Sequence, residues 1–444
     1  MELVQLKGPE IEFKPNRKLE VTKNTMLIAY VVLETLYKTI FGKYLAVEME
    51  RLQCVVGAVL ACLLLVEWFR LDKDNKIKWV KRHAIVFLYF AIRVITFINI
   101  GFQYTMLRSV FFEGIYLLVI TELIVNSEFC KKRVFKFFVL SNLFLNIINV
   151  FFYFYCENAF DKGTFFNDPI YNFAIDYTYI RSLAFYNHCS MYSNPNQMGI
   201  MTGIAFLLSI SYFSKAWSGK RKICYAFYCM FSLYCVVLSN CSSSHAGLFL
   251  VAGIFLIVKK FRIIDVKKIL ILATLGALLI TGMVYGFVHI HGNSVEYTLF
   301  EKQLDAVSSS RYTIWKDSYY SHQEELILGC GNITLEKRDR YQYNLDKGND
   351  LGLDIDSSLI DYVGPHNGYI GTISCAGLLG FAAFIALLLK KINDSKSLNQ
   401  GYWYLAIIFI LVINLFECMM PISKNFVTLY MFLILAMDDR EETV

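Results

Sequence analysis

Four side chains in this sequence combine charge or proton exchange with a position beside a long apolar run. They are Arg181, His245, Arg311 and His366. An arginine presents a planar set of donors that can hold phosphate oxygens through two hydrogen bonds, and a histidine exchanges protons near neutral pH. If they meet at one surface, two arginines and two histidines suit an anionic phosphate group with a proton transfer beside it.

Each of these residues also has a purely structural interpretation. Arg311 has acidic neighbours in Asp305 and Asp317, with which it could form an ion pair. His366 could cap a helix that begins just after it. Spacing alone leaves the chemical and the structural interpretations open.

The composition defines the elements that must position these side chains. The chain is 56% hydrophobic and only 18% charged, whereas soluble domains carry roughly a quarter of their residues as charges. A membrane-spanning helix needs about 20 mostly apolar residues. The sequence therefore predicts an all-α integral membrane protein with about 12 transmembrane helices, in the apolar runs 25–42, 52–69, 84–101, 104–125, 134–155, 196–213, 223–240, 245–258, 268–288, 367–389, 402–418 and 425–437.

The positions of lysine and arginine orient this bundle, because cytoplasmic loops carry an excess of both. Basic clusters at 70–82, 131–136, 215–222, 259–268 and 390–396 predict that both termini are cytoplasmic. The same loops account for the net charge of +6, so no nucleic acid partner is expected.

Two predicted extracytoplasmic segments, 156–196 and 289–365, are too long to be simple connections. We expect a single polytopic domain over 1–444, with 289–365 as a large external loop between the ninth and tenth helices. The first half of that loop predicts one or two amphipathic helices, and its polar, glycine-punctuated second half predicts irregular structure. This topology brings Arg181, His245, Arg311 and His366 to the outer membrane surface.

Several ionisable residues fall within or near the predicted helices, where charge is costly. Either a polar path through the bundle or pairing between helices would explain them, and no regular ladder of acids favours the path. They are Glu34, Lys38, Arg93, Arg108, Glu113, Glu122 and Glu417.

No metal site is predicted from the sequence. The 12 cysteines are scattered, and the compact cysteine and histidine spacing of zinc sites is absent. Four acids (Asp350, Asp354, Asp356 and Asp361) could bind a cation, but a solvated acidic loop is the favoured interpretation.

A series of short motifs follows one another over residues 180–385. The motifs are Arg181 with Asn194-Pro195-Asn196, the Ser242 to Ser244 turn with Gly247, Arg311-x-x-x-Trp315, Leu328-Gly329-x-Gly331, His366-Asn367-Gly368-Tyr369 and Gly377-x-x-Gly380. In this order and on this side of the membrane, they resemble the O-antigen ligase and repeat-unit polymerase superfamily of bacterial envelope enzymes. One departure is His245, which stands where members of the family usually carry arginine.

The resemblance implies an inverting, metal-independent glycosyltransferase of the bacterial cytoplasmic membrane, with no cofactor and with its active site facing outside. Its donor would be an oligosaccharide on undecaprenyl pyrophosphate. His366 would be the base and Arg311 would stabilise the leaving pyrophosphate, so both are assigned as catalytic. Arg181, His245, Trp315 and Asn367 are assigned as substrate-binding residues.

The leading functional prediction is a polymerase of repeat units for capsule, exopolysaccharide or O-antigen, with a flippase and a chain-length regulator as potential partners. An O-antigen ligase-type transferase, which attaches finished glycan to another acceptor, shares the same motifs. A flippase or transporter for a lipid-linked glycan is the alternative of another class. The long external loop and the lack of an internal repeat argue against this last alternative.

Overall fold

A computed structural model gives the architecture of the chain. It describes residues 17–39, 45–101, 103–125, 130–161, 178–182, 185–188, 191–192, 194–214, 219–261, 265–291, 299–308, 311–350, 364–395, 398, 401–420 and 425–436. Over these residues the fold is helical except for one short antiparallel hairpin.

The part of the chain before residue 215 contains a set of long helices and the hairpin. Its elements are α1 (Arg17–Tyr37), α2 (Ala46–Phe69), α3 (Lys73–Arg82), α4 (Ala84–Ile100), α5 (Tyr104–Gly114), the π-helical turn π1 (Ile115–Ile120), α6 (Thr121–Val125), α7 (Cys130–Asp161), β1 (Thr178–Ser182), β2 (Phe185–His188) and α8 (Pro195–Ser214).

The second part contains three further long helices, three shorter helices of the predicted external loop and three C-terminal helices. These are α9 (Gly219–Leu238), α10 (Ser242–Phe261), α11 (Val266–His291), α12 (Leu299–Val307), α13 (Arg311–Ser321), α14 (Ile333–Asp350), α15 (Gly368–Asp394), α16 (Trp403–Ile413) and α17 (Phe426–Ala436).

Each of the twelve apolar runs overlaps a helix or consecutive helical segments, so the predicted helical character is confirmed over the described residues. Within the described ranges, six helices are long and apolar enough to cross a membrane, or seven if the bent pair α3 and α4 forms one span. The count of 12 spans and the orientation of the bundle stay predictions.

The interior of the bundle is built around the short helices α16 and α17. α16 is apolar on every side and is buried along almost its whole length, as expected for a helix enclosed by other helices. It packs against α8, α10 and α11. The outer helices instead expose apolar side chains, such as Ile98, Ile223 and Phe249, which is the surface that lipid requires.

The second half of the external loop differs from its prediction, because residues 333–350 form helix α14 rather than irregular structure. The side chain of Asn332 caps this helix by accepting hydrogen bonds from the backbone nitrogens of Thr334 (2.8 Å) and Leu335 (3.0 Å). Farther along, Arg340 pairs with Glu336 four residues earlier at 3.0 Å. Capping and such pairs support a polar helix that shows little apolar periodicity.

Pairing between helices accounts for most of the ionisable residues predicted near the membrane. Arg108 contacts Glu50 at 3.0 Å, and Glu122 lies 3.2 Å from His83. Glu34 accepts hydrogen bonds from Gln53 (3.2 Å) and from the Tyr116 hydroxyl (2.6 Å). The pair Arg93–Glu113 and the carboxylate of Glu417 are described below.

Candidate functional site

One face of α13 carries three side chains that point toward the start of α15. Arg311, Trp315 and Ser318 follow a four- and three-residue step, which aligns side chains on one side of a helix. The Trp315 indole nitrogen donates to the backbone oxygen of Pro365 at 2.8 Å. The Ser318 and Ser374 hydroxyls lie 3.0 Å apart. These contacts hold α13 along the first turns of α15.

The backbone just before α15 has an unusual conformation at His366. Its φ of +47° lies in the left-handed region, which few residues other than glycine adopt. The next residue, Asn367, caps α15 by accepting from the backbone nitrogens of Tyr369 and Ile370, and its amide donates to the Leu415 oxygen at 3.1 Å. The His366 ring is therefore placed by a backbone that is fixed on both sides.

The carboxylate of Glu417 joins side chains from three other parts of the chain. Its Oε1 accepts from the amide of Asn196 at 2.8 Å and lies 3.4 Å from Nη2 of Arg311. Its Oε2 lies 3.3 Å from Nδ1 of His366. Glu417 follows the end of α16, where its backbone nitrogen bonds the Ile413 oxygen at 2.8 Å. We call Asn196, Arg311, His366 and Glu417 the Glu417 cluster.

The exposure of the Glu417 cluster is graded. The side chain of Glu417 is 8% exposed, that of Arg311 is 21% exposed and that of His366 is 29% exposed. A buried carboxylate thus supports two partly open groups. Because the ionised carboxylate accepts only, the contact orients Nδ1 of His366 as the donor, and in the neutral imidazole Nε2 then carries the lone pair. Within the described part of the chain, Nε2 has no hydrogen-bond partner.

Asn196 reaches this cluster because α8 begins one residue before it. Pro195 is the first residue of α8, and the side chain of Asn194 caps the helix by accepting from the Gln197 backbone nitrogen at 2.8 Å. The α8 start also packs closely on the turn before α10: a Cβ atom added at Gly199 would lie 2.6 Å from Cβ of Cys241. The Asn-Pro-Asn segment and the serine-rich turn are thereby neighbours.

The glycine motifs let the segment after α13 pack directly against the middle of α15, and we call this contact between Gly329 and Gly377 the glycine contact. Gly377 interrupts α15 with a φ of +67°, and Gly329 has a φ of +78°. A Cβ on Gly377 would collide with the backbone of Ile327, and one on Gly329 would collide with that of Cys375. At the interruption, the Leu378 nitrogen bonds the Leu326 oxygen at 2.9 Å.

Arg93 of α4 binds both backbone segments of the glycine contact from inside the bundle. Its guanidinium donates to the Cys375 oxygen at 3.0 Å and to the Gly331 oxygen at 2.6 Å. It also binds both carboxylate oxygens of Glu113, each at 3.0 Å. Both side chains of this pair are fully buried.

The structure brings the two residues predicted as catalytic, Arg311 and His366, onto one carboxylate. Among the described residues, Arg311 pairs with Glu417 and not with either of the two suggested acids. Asp305 instead accepts from Thr313 (2.9 Å), and Asp317 accepts from the amide of Asn344 (3.1 Å). The suggested capping role of His366 is taken by Asn367.

The other predicted site residues lie in different surroundings. The described contacts of Trp315 and Asn367 support the backbone around His366, and Asn367 is buried. His245 lies in the first turn of α10, with Nε2 at 3.1 Å from the Val236 oxygen. Arg181 belongs to β1, between Ile180 and Ser182, where the pairing with β2 shifts register; its side chain lies outside the described part. Substrate contact stays a prediction for all four.

Glu417 is the functional candidate that sequence reasoning did not assign to the site. The signal was present, because Glu417 is an acid within the apolar run 402–418. Its partners are distant in sequence, since Arg311 lies 106 residues and Asn196 lies 221 residues away. A charge in such a run indicates a partner or a site, but only the folded chain shows which.

A comparison with protein families gives a match to part of the chain. Residues 227–385 match the family described as O-Antigen ligase. The match confirms the resemblance to the O-antigen ligase and polymerase superfamily over that segment. The segment includes His245, Arg311, Trp315, His366 and Asn367.

No curated protein and no solved structure matched the chain. The helical fold, its apolar spans and the family match together support a multi-pass membrane enzyme of the O-antigen ligase or polymerase type. The same match suggests a glycosyltransferase-type activity on a lipid-linked oligosaccharide.

Proposed function

We propose that this protein polymerises lipid-linked oligosaccharide repeat units at the outer face of a bacterial cytoplasmic membrane. The donor is an oligosaccharide carried on undecaprenyl pyrophosphate, and the acceptor is a sugar hydroxyl. The observation that carries the proposal is the Glu417 cluster, in which one buried carboxylate contacts Arg311 (3.4 Å) and His366 (3.3 Å). A glycosyl transfer of this kind needs both a base and a cation.

His366 is proposed as the base. Glu417 accepts from Nδ1 of His366, which leaves Nε2 of the neutral imidazole as the nitrogen that can accept a proton. The same use of a carboxylate to orient an imidazole operates in Ser-His-Asp sites. As the acceptor hydroxyl attacks, its proton passes to Nε2, and Glu417 stabilises the imidazolium that forms.

Arg311 is proposed to bind the leaving pyrophosphate. In the reaction, the acceptor oxygen forms a bond to the anomeric carbon while the bond from that carbon to the phosphate oxygen breaks. The electron pair leaves with the lipid pyrophosphate, whose growing negative charge needs a fixed cation nearby. A single displacement of this kind inverts the anomeric configuration and uses no metal.

The partial exposure of Arg311 suits that role. One guanidinium nitrogen contacts Glu417 at a long 3.4 Å, and the side chain is 21% exposed, so other donors can reach phosphate oxygens. The first backbone nitrogens of α13 are less suited to an anion, because Ser308 and Asp305 accept from Tyr312 and Thr313. The anion contact is therefore assigned to the Arg311 side chain, with Arg181 and His245 as further candidates on the donor side.

A ligase that transfers finished glycan to another acceptor is the second candidate, since the matching family is described as O-Antigen ligase. The Glu417 cluster supports the same base and cation chemistry in either reaction. The two candidates differ only in the acceptor, so the test must follow the product.

Complementation of a strain deleted for this gene tests the proposal, with envelope glycan separated on a gel. We expect wild type to restore a ladder of chain lengths, whereas His366→Ala and Arg311→Ala leave single repeat units. His289→Gln and Arg221→Ala serve as matched controls away from the cluster and should restore the ladder. All variants are first checked for equal membrane levels.

Three outcomes would contradict the polymerase proposal. A ladder restored by both cluster variants would contradict the roles proposed for His366 and Arg311. Long lipid-linked chains that accumulate without attachment in the deletion strain would identify a ligase. Repeat units that stay on the cytoplasmic side in the deletion strain, and are exported by both cluster variants, would identify a transporter.

A further inference from the structure

A second group of chemically active side chains lies at the other end of α13. His322 follows the last residue of the helix, and Glu325, Cys330 and Asp339 surround it. One donor atom from each residue lies within 4.8 Å of the others. His322 and Cys330 are buried, Asp339 is half-buried and Glu325 is exposed. This group is separate from the Glu417 cluster, since ten residues of helix, about 15 Å, separate Arg311 from Ser321.

The tautomer of His322 is set by its neighbours. Nδ1 lies 3.0 Å from the backbone oxygen of Ser318 and 2.8 Å from the Ser321 hydroxyl. Because a carbonyl oxygen can only accept, Nδ1 carries a proton, and in the neutral imidazole Nε2 is the nitrogen that presents a lone pair. Metal-binding histidines show the same arrangement, with the second ring nitrogen donating to a backbone carbonyl.

Nε2 of His322 is the atom that needs a partner. The side chain is 3% exposed, and Nε2 has no hydrogen bond within the described residues. Its neighbour across the group is Oδ2 of Asp339, at 3.9 Å, an atom that also only accepts. A buried, unprotonated Nε2 without a donor costs free energy, and a cation placed between Nε2 and Oδ2 of Asp339 would satisfy both atoms.

The remaining donors are held in place by the surrounding structure. Oδ1 of Asp339 is taken by Arg338 through contacts of 2.8 and 2.7 Å, so Oδ2 is the oxygen left toward His322. The Cys330 backbone nitrogen bonds the Ser374 oxygen at 2.8 Å, which holds Cys330 beside the glycine contact. Glu325 lies one turn after His322, with its backbone nitrogen 3.1 Å from the His322 oxygen.

From this geometry we infer that His322, Glu325, Cys330 and Asp339 form a binding site for a divalent transition metal, with zinc as the best chemical fit. One imidazole, one thiolate and two carboxylates are ligands that zinc accepts in tetrahedral sites. Zinc bonds of about 2.0–2.3 Å place ligand atoms roughly 3.5 Å apart, so the present spacing, within 4.8 Å, has to shorten by about 1 Å when the ion binds. The ion joins the end of α13, the segment before α14 and α14 itself.

The sequence gives no compact signature of this site. The ligands are 3, 5 and 9 residues apart along the chain, and α14 was not expected to be a helix. The proposed role of the ion is structural, because its ligands link the end of α13 to α14 and none of them belongs to the Glu417 cluster. The proposed sugar transfer itself needs no metal, so the two proposals can fail independently.

The test measures metal on the purified full-length protein in detergent. The protein is stripped with a chelator, incubated with zinc chloride and desalted, and zinc is counted by mass spectrometry. We expect wild type to retain one zinc per chain and to unfold at a higher temperature with zinc than without it. Asp339→Asn should weaken zinc binding at least about tenfold, and His322→Ala and Cys330→Ser should abolish it.

Matched variants and a second readout separate loss of the site from loss of the fold. His289→Gln and Cys224→Ser should retain zinc, and every variant must elute as a single species in gel filtration. Cobalt loaded into wild type should show thiolate-to-cobalt absorption that Cys330→Ser lacks. Wild type without stoichiometric zinc, equal zinc in His322→Ala and wild type, or Cys330 in a disulfide would each overturn the inference.

Discussion

The protein contains two arginine–glutamate pairs that differ in nearly every physical respect. Arg93 and Glu113 are both fully buried, and the guanidinium binds both carboxylate oxygens at 3.0 Å. Arg311 and Glu417 are 21% and 8% exposed, and their nitrogen and oxygen are 3.4 Å apart. Arg93 makes four hydrogen bonds, two of them to backbone oxygens. Arg311 makes one side-chain contact within the described residues.

The contrast separates a structural pair from a candidate catalytic one. A guanidinium that binds both a carboxylate and backbone oxygens has little capacity left for a substrate, and its removal leaves a buried charge. A guanidinium held by one long contact at a partly open position keeps donors for an anion. We therefore assign the Arg93 pair to the fold and propose that the Arg311 pair serves the chemistry.

Arg93→Ala should reduce stability more than any other single change at either pair. It leaves Glu113 buried without its cation, which costs about 3–5 kcal/mol of stability out of the roughly 5–15 kcal/mol typical of a folded domain. Thermal unfolding in detergent and the level of protein in membranes measure the loss. The double variant Arg93→Met with Glu113→Leu should be more stable than Arg93→Ala. An Arg93→Ala protein as stable as wild type would contradict the assignment of the Arg93–Glu113 pair to the fold.

Arg311→Lys sharpens the comparison by keeping the charge and removing the planar donor set. We expect activity to fall about 100-fold, because lysine cannot make the two-point contact with pyrophosphate, while the unfolding temperature stays within the range of wild type. The measurement is the rate of transfer from a lipid-pyrophosphate-linked oligosaccharide, with Arg221→Lys as the control. Full activity would show that a point charge suffices at this position.

Trp315→Phe tests the support of His366 and should have the smallest effect. The change removes the hydrogen bond to the Pro365 oxygen, worth about 1 kcal/mol, and keeps the aromatic ring. The turnover rate should therefore fall less than tenfold, at an unchanged KM. Trp68→Phe is the matched control. A raised KM at unchanged turnover would assign Trp315 to sugar binding rather than to the position of His366.

The sequence predicted the parts of the fold that depend on local pattern. The apolar runs marked the helices, and the first half of the external loop, predicted as one or two amphipathic helices, contains α12 and α13. The helix α14 was missed because capping by Asn332 and pairs along a polar surface give no apolar period. Glu417 was missed because its role rests on contacts with residues 106 and 221 positions away.

The glycine motifs also show that a local sequence pattern does not reveal contacts between distant segments. Gly329 and Gly377 were recognised as parts of a family pattern, but the pattern does not say what they do. The structure supplies the physical reason, since each has a positive φ and lies too close to the opposite backbone for a Cβ atom. Such a reason depends on two segments meeting, which no local spacing predicts.

The central claim is that Glu417 acts through His366, and a double-mutant cycle on the purified enzyme tests it most directly. Transfer rates are measured for wild type, Glu417→Gln, His366→Ala and the double variant, each shown to be folded. Loss of the base should lower the rate about 100- to 10,000-fold, and the double variant should be no slower than His366→Ala. If the two losses instead multiply in the double variant, Glu417 and His366 act independently and the account is contradicted.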